Sequence, residues 1–232
     1  MQDPFEKAFY DYFEGNKEAK IVVNINKFEA DDIPISYFFR KYEEMPSLEQ
    51  KALSLCTGSI LDIGAGSGIH SLYLQEKGND VTALDIQSGF VDIMKKRGLK
   101  NVIHSDIFDY HDGKFDTLLM LMNGIGFTKD FDGLLSFLIK AKELLNPGGQ
   151  IILDSSDLLF LYEEEDGSYT INLNEEYYGE VEYQIEYQGN KAKSFRWLYV
   201  DFYNLSQYAE QAGFSCDMIF EDDHYNYLAR LY

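Results

Sequence analysis

Leu61-Asp62-Ile63-Gly64-Ala65-Gly66-Ser67-Gly68 closes one apolar run and opens an amphipathic one. Before it, Ser59 to Ile63 is short and apolar, the pattern of a buried strand. Behind it, Ile69, Leu72 and Tyr73 have helical spacing in a segment from Gly68 to Lys77 that stops at Gly78. A second apolar run, Asp80 to Asp85, follows at once. Strand, glycine turn, helix, strand is the opening of a parallel α/β sheet. Glycines at the turn let the backbone bend tightly and let a ligand approach without meeting a Cβ. The helix start offers free N–H groups. Asp85, closing the next strand, stands at about the distance along the chain at which an acid holds a ribose through its hydroxyls.

The same rhythm continues outward. Ser88 can cap a helix to Arg97, stopped by Gly98; Asn101 to His104 and Phe115 to Met122 are further strands. Phe131, Leu134, Leu135, Leu138 and Leu145 form one face of a long helix ending before Pro147, and Gln150 to Leu153 is a fifth strand. Apolar strands alternating with amphipathic helices predict an α/β fold whose mostly parallel sheet is covered on both faces. After Leu159, Val181, Tyr183, Ile185 and Tyr187 alternate with polar residues, Gly189-Asn190 is a turn signal, and Lys191 to Val200 returns as the partner strand. Leu205 to Gln211 reads as a helix closed by Gly213, and Phe214 to Glu221 and Tyr225 to Leu231 as a terminal strand pair. At the other end, Phe5 to Phe13 reads as a short helix and Ile21 to Asn26 as a strand, followed by polar Lys27 to Ile33. Pro34 is expected to open a helix through Tyr37, Phe38 and Phe39, and Pro46 another through Leu48, Ala52, Leu53 and Leu55. The expected organisation is a largely helical N-terminal cap, 1–57, and a ligand-binding domain, 58–232, with a β-hairpin elaboration around 168–200.

Composition narrows the function. The 232 residues carry a formal net charge of -20, and aromatics make up 16%. An acidic surface repels phosphates, which argues against nucleic-acid partners and anionic membranes and suits a small neutral or cationic substrate; solubility alone would also account for the charge. Cys56 and Cys216 show no metal-ligand or disulfide spacing, so reduced core residues are expected and no metal. The start Met1-Gln2-Asp3-Pro4 has no signal pattern and no apolar run approaches the ~20 residues of a membrane span, so a cytoplasmic protein is expected.

A dinucleotide site is the obvious rival for the glycine turn. Its G-x-G-x-x-G fingerprint requires a third glycine where Ile69 or Ser71 stands. The pattern present is D-x-G-x-G-x-G, and a carboxylate at Asp62 suits an ammonium better than a pyrophosphate. Together, Asp62 to Gly68, Asp85, Ser105-Asp106-Ile107, Phe115-Asp116 and Asn146-Pro147-Gly148-Gly149 resemble, in order and spacing, the Rossmann-like (class I) S-adenosylmethionine-dependent methyltransferases, over roughly Ser59 to Asp154. The resemblance implies a seven-stranded sheet with its last strand antiparallel, S-adenosylmethionine as cofactor and S-adenosylhomocysteine as product. It implies Asp62 near the methionine ammonium, the turn Gly64-Ala65-Gly66 to Gly68 against the ligand, and Asp85 on the ribose hydroxyls. Ile86 would lie against the adenine, Asp106 would accept from the adenine amino group with Ile107 on the other ring face, and Asn123 and Gly124 would sit near the methyl group. Simple capping remains the alternative for Asp62 and for Asp106, and Asp116 reads as structural.

Methyl transfer from a sulfonium is an in-line displacement that alignment alone accelerates greatly, so no nucleophile need be visible. The (N/D)-P-P-Y tetrapeptide of enzymes methylating adenine or glutamine nitrogens is absent at Asn123, which leaves a small-molecule acceptor as the expectation. Residues expected to frame its pocket are Tyr10, Tyr12, Tyr37, Phe38, Arg40, Trp197 and Tyr199. Among the histidines, His70 either faces the ligand or lies on a helix surface; no general base is assigned. The hairpin's outer edge leaves a homodimer open. Two other functions stand beside methyl transfer: a cofactor-binding regulatory protein without turnover, and aminopropyl transfer on the same fold.

Overall fold

Neighbouring residues along the central strands feed two different cores. A computed structural model describes residues 3–26, 28–164, 166–171 and 176–232; Glu165 of the acidic run and residues 172–175 of the expected elaboration lie outside the described residues. The chain runs α1 (Pro4–Phe13), β1 (Lys20–Ile25), β2 (Asp31–Pro34), α2 (Ser47–Leu55), β3 (Ser59–Ile63), α3 (Ile69–Glu76), β4 (Asp80–Asp85), α4 (Ser88–Lys96), β5 (Asn101–His104), β6 (Phe115–Met120), α5 (Phe131–Leu144), β7 (Leu145–Ser156), β8 (Glu180–Tyr187), β9 (Asn190–Lys191), β10 (Phe195–Leu198), α6 (Phe202–Gln211), β11 (Cys216–Glu221) and β12 (Asn226–Leu231). Leu118, Met120, Ile151 and Leu153 point into a core with α5 and α6. Leu119, Leu121 and Ile152 point the other way, onto α2 and α3. This period of two is what a sheet buried on both faces requires.

The main sheet has seven strands in the order β11-β12-β7-β6-β3-β4-β5. All pairings from β5 to β7 are parallel; β12, the last strand, runs antiparallel to both neighbours. This is the Rossmann-like α/β architecture expected from the sequence. From β3 the chain proceeds outward to β4 and β5, then crosses back to β6 on β3's other side. The order reverses between β3 and β6, and the crevice at their C-terminal ends is where open α/β sheets bind ligands.

A second sheet, wholly antiparallel, has the order β10-β8-β1-β2, with β9 on the tail of β8. Here the structure departs from expectation. The polar segment after β1 is a strand, β2, and Pro34 ends it; a 3-10 turn, Ile35–Phe39, follows in place of an α-helix. The N-terminal segment is therefore not merely a helical cap. Its β1 pairs with β8, with Val23 opposite Ile185, so it shares one sheet with the hairpin. The β8 edge that was expected to be open to a second chain is filled from within.

Local chemistry explains how α1 is placed. Asp3 caps it by accepting from the N–H groups of Phe5 and Glu6, and Pro4 occupies the first turn. Phe9, 1% exposed, packs against Phe38 and Phe90 and so ties α1 to α4. Burying one such ring contributes on the order of 1.5–3 kcal/mol.

Candidate cofactor and acceptor site

The glycine turn is held by the strand beside it. Gly64 and Ala65 donate their N–H groups to the Leu84 carbonyl at 2.9 and 3.1 Å. Gly66 donates to Asp85 Oδ2 at 2.8 Å, and Gln87 to Asp85 Oδ1 at 2.8 Å. Gly64 and Gly66 have φ of +72° and +56°, and a Cβ on either would meet no atom within 4 Å. The turn thus needs glycine for its conformation and presents open space to a ligand. Asp85 is 5% exposed, and burial pushes its carboxyl up to about 6 against the pull of the Gln87 and Gly66 N–H groups. Beside it Ile86 is 60% exposed, an apolar face at a strand end. Asp62 is fully buried; Ser71 donates to it at 2.6 Å, and burial raises its pKa while His70 and Ser71 oppose the rise. Asp62 has no salt-bridge partner among the described residues.

Sheet register puts three carboxylates on one face. Ala83, Asp62, Leu119 and Ile152 are lateral partners across β4, β3, β6 and β7. Asp85 and Asp154 each lie two residues beyond that row on their strands, hence on the same face and at the same C-terminal edge. Asp62 and Asp85 converge on the glycine turn, as a cofactor site requires. Asp154 stands apart, at the end of β7. Its Oδ1 accepts from the Asn123 N–H at 2.8 Å and its Oδ2 from the Met122 N–H at 3.2 Å. Burial pushes Asp154 up to about 7; the Asn123 N–H opposes this and the Glu49 charge adds to it.

Between these carboxylates lies a buried ionic group that the sequence did not disclose. Glu49 of α2 pairs with Arg40 through one oxygen and with His70 Nε2, at 2.7 Å, through the other. All three side chains are at most 6% exposed. Burial works against ionisation of Glu49, but His70 and Arg40 outweigh it and its pKa falls below the ordinary value. His70 is therefore neither on a helix surface nor free toward the crevice: α2 covers that face of α3. Arg40 is engaged too, donating to the Tyr37 carbonyl and stacking on the Tyr37 ring at 3.8 Å, while its buried Nε has no partner. Gln87 Oε1 is likewise buried without a partner.

The remaining expected residues divide. Asn123 is at the crevice, but its side chain is committed: Nδ2 donates to the Leu198 carbonyl at 3.2 Å and Oδ1 accepts from Ser155 at 2.8 Å. Gly124 begins the 3-10 turn that follows. Asp106 accepts from the Phe108 N–H at 2.9 Å, a turn cap; Ile107 is packed in the core, and Phe108 is the exposed apolar residue there. Trp197 lies against Gly126, and Tyr199 bonds to Tyr183 through their hydroxyls. Tyr37 is 41% exposed. Phe38 packs on Phe5 and Phe9. Tyr12 packs at a tilt against Phe39, and Tyr10 donates to Asp92, so both belong to the outer layer around α1. Asp116 links Ser59 to Asn146, the structural role expected of it.

A methyltransferase-domain family model matches residues 61–153. A solved S-adenosylmethionine-dependent methyltransferase from Bacteroides fragilis, in complex with S-adenosylhomocysteine, is 44% identical, with 100% of this chain and 94% of that one covered and a TM-score of 0.92. The chain belongs to the S-adenosylmethionine-dependent methyltransferases. Cypemycin N-terminal methyltransferase of Streptomyces sp is 28% identical over 103 residues, covering 43% of this chain and 42% of its own. Ribosomal RNA small subunit methyltransferase C of Haemophilus ducreyi is 28% identical over 106 residues, 41% of this chain and 31% of its own. This methyltransferase thus spans under half the length of these two curated relatives. Its site fits the cofactor by its own geometry: open space over Gly64 and Gly66, and at Asp62 a buried carboxylate that no salt bridge neutralises among the described residues, suited to an ammonium. No helix among the described residues is long and apolar enough to cross a membrane.

Proposed function

We propose that this methyltransferase transfers the methyl group of S-adenosylmethionine to a small-molecule acceptor held between the glycine turn and the second sheet. The observation that carries the reading is the convergence of Asp62, Gly64, Gly66 and Asp85 at the β3–β4 ends. Asp85, with Ile86 beside it, would hold the ribose and adenine. Asp62 would face the ammonium of the methionine part. Ala65 and Gly68 would shape the turn, and Asp106 would close the adenine end. Two residues join this set from the structure. Arg40, expected to touch substrate, would instead give its unmatched Nε to the cofactor's carboxylate, since Glu49 ties it to His70, whose charge acts on Asp62. Gln87 would turn its unmatched Oε1 to the adenosine.

The cofactor, when bound, supplies an electrophilic methyl on a good leaving group. The protein's own contribution is placement and exclusion of water. Tyr37, Trp197 and Tyr199 would line the acceptor space, where aromatic faces also suit a sulfonium. Titration calorimetry with S-adenosylhomocysteine tests the cofactor half: saturable binding that weakens about tenfold in Asp85→Ala, about 1.4 kcal/mol, is expected. No binding to the wild type at millimolar ligand would overturn the reading. For the transfer itself, S-adenosylhomocysteine release over a panel of small acceptors is the test.

A further inference from the structure

We infer that Asp154 is the acceptor-side carboxylate, and that the group it receives is an amine. The inference rests on the cofactor placement just proposed and adds the class of acceptor.

Position comes first. Asp154 and Asp85 share one face and one edge of the sheet, with the ends of β3 and β6 between them. Three strand spacings separate them, on the order of 14 Å. With adenosine at Asp85 and the amino-acid end at Asp62, the side of the crevice left for an acceptor is the one bounded by β6 and β7. Asp154 is the carboxylate on that side.

Its surroundings fit a proton-taking role. Met122 and Asn123 both adopt left-handed backbone, φ +62° and +52°, and so turn two successive N–H groups onto the carboxylate. A carboxylate has about four acceptor positions, so two remain. The side chain is half-buried, and no salt bridge satisfies it among the described residues. Burial brings its pKa to about 7, where it is ionised yet basic enough to take a proton at neutral pH. Burial raises the Tyr37 and Tyr199 phenols, and the Asp154 charge adds to both, so both side chains lie within reach of that charge.

Charge selects the acceptor. Arg40 and His70 are already engaged by Glu49. An anionic acceptor would meet Asp154 with no counter-cation, and the net charge of -20 adds to the repulsion. An aliphatic alcohol holds its proton several pK units more tightly than an alkylammonium does, which disfavours it for a carboxylate of this strength. An amine is attracted as a cation and sits well against tyrosine faces. It first passes its ammonium proton to Asp154; the freed nitrogen lone pair then makes the new C–N bond, the carbon–sulfur bond breaks with its electron pair going to sulfur, and the product leaves as the methylated ammonium.

Sinefungin tests this without the natural acceptor. It is a cofactor analogue bearing an amino group where the methylated sulfur's methyl would point. Calorimetry at pH 8 on the wild-type chain is expected to show sinefungin binding at least tenfold tighter than S-adenosylhomocysteine. Asp154→Asn should bind S-adenosylhomocysteine within threefold of the wild type and lose the sinefungin preference. Equal affinities in the wild type, or a preference that survives Asp154→Asn, overturn the inference and leave the cofactor reading standing. Failure of the wild type to bind either ligand overturns both. Should Asp154→Asn not fold, Asp154→Ser is held to the same two criteria.

Discussion

The two sides of the crevice, the one proposed for the cofactor and the one proposed for the acceptor, are built in opposite ways. At the ends of β3 and β4 the polar groups come from residues 62–87, two strand ends and the turn between them. At the ends of β6 and β7 they come from Tyr37 and Arg40, Glu49, Met122 and Asn123, Asp154 and Tyr199, gathered from five places. The first arrangement is local, and its carboxylates are satisfied mainly by backbone N–H groups. The second depends on tertiary packing: Glu49, Arg40 and His70 satisfy one another, and Asp154 is held by N–H groups from a different strand end. Damage to the first should therefore appear as lost binding, and damage to the second as lost stability.

The hardest test of this contrast is Glu49→Ala. It leaves Arg40 buried without its counter-charge and His70 without its hydrogen-bond partner, and a loss of about 3–5 kcal/mol is expected from urea unfolding. A loss under 1 kcal/mol would mean that the ionic group does not hold the acceptor side together. Next is Gly66→Val. At φ +56° a β-branched residue is strained, and its side chain fills the ligand space. S-adenosylhomocysteine affinity should fall more than a hundredfold, about 2.8 kcal/mol, in calorimetry. Gly126→Ala probes the other half: its methyl would strike the Trp197 indole. Thermal unfolding should show a destabilisation of about 1–3 kcal/mol, with S-adenosylhomocysteine affinity within threefold of wild type. A larger change in affinity would show that the two halves are coupled.

The smallest effect concerns pH. Asp85 has its pKa raised to about 6, so it is ionised above that pH and protonated below it. Only the ionised form could accept from both hydroxyls of a ribose held as proposed. S-adenosylhomocysteine should bind about tenfold more weakly at pH 5 than at pH 8, from the fraction ionised, and Asp85→Ala should flatten that dependence. A flat wild-type profile would remove Asp85 from the ribose.

The same contrast governs what could be read from the chain beforehand. Asp62, the glycines and Asp85 announce themselves because their meaning depends on neighbours within about one βαβ unit. Asp154 ends an apolar run much as Asp85 does, so a signal was present; only the strand order shows that its strand borders the crevice. His70 was misjudged because helical spacing tells which residues share a face, not which element covers that face, and α2 covers this one. β2 was missed since its Asp31-Asp32-Ile33-Pro34 has little apolar content and gains its pairing from β1. The partnership of β1 with β8 had no local signature at all.

That partnership bears on how a newly made chain matures. Asn24 and Gln184, bonded across it, are 160 residues apart. At ribosomal speeds this separation takes roughly 10–30 s to synthesise. Throughout that interval Ile21 and Val23, 1% and 6% exposed in the finished protein, belong to a strand with one flank empty. Such a flank is a template for foreign strands, and the polar, acidic β2 laid along the opposite flank guards only half of it. The second sheet, proposed to wall the acceptor space, is thus completed only late in the synthesis of the chain.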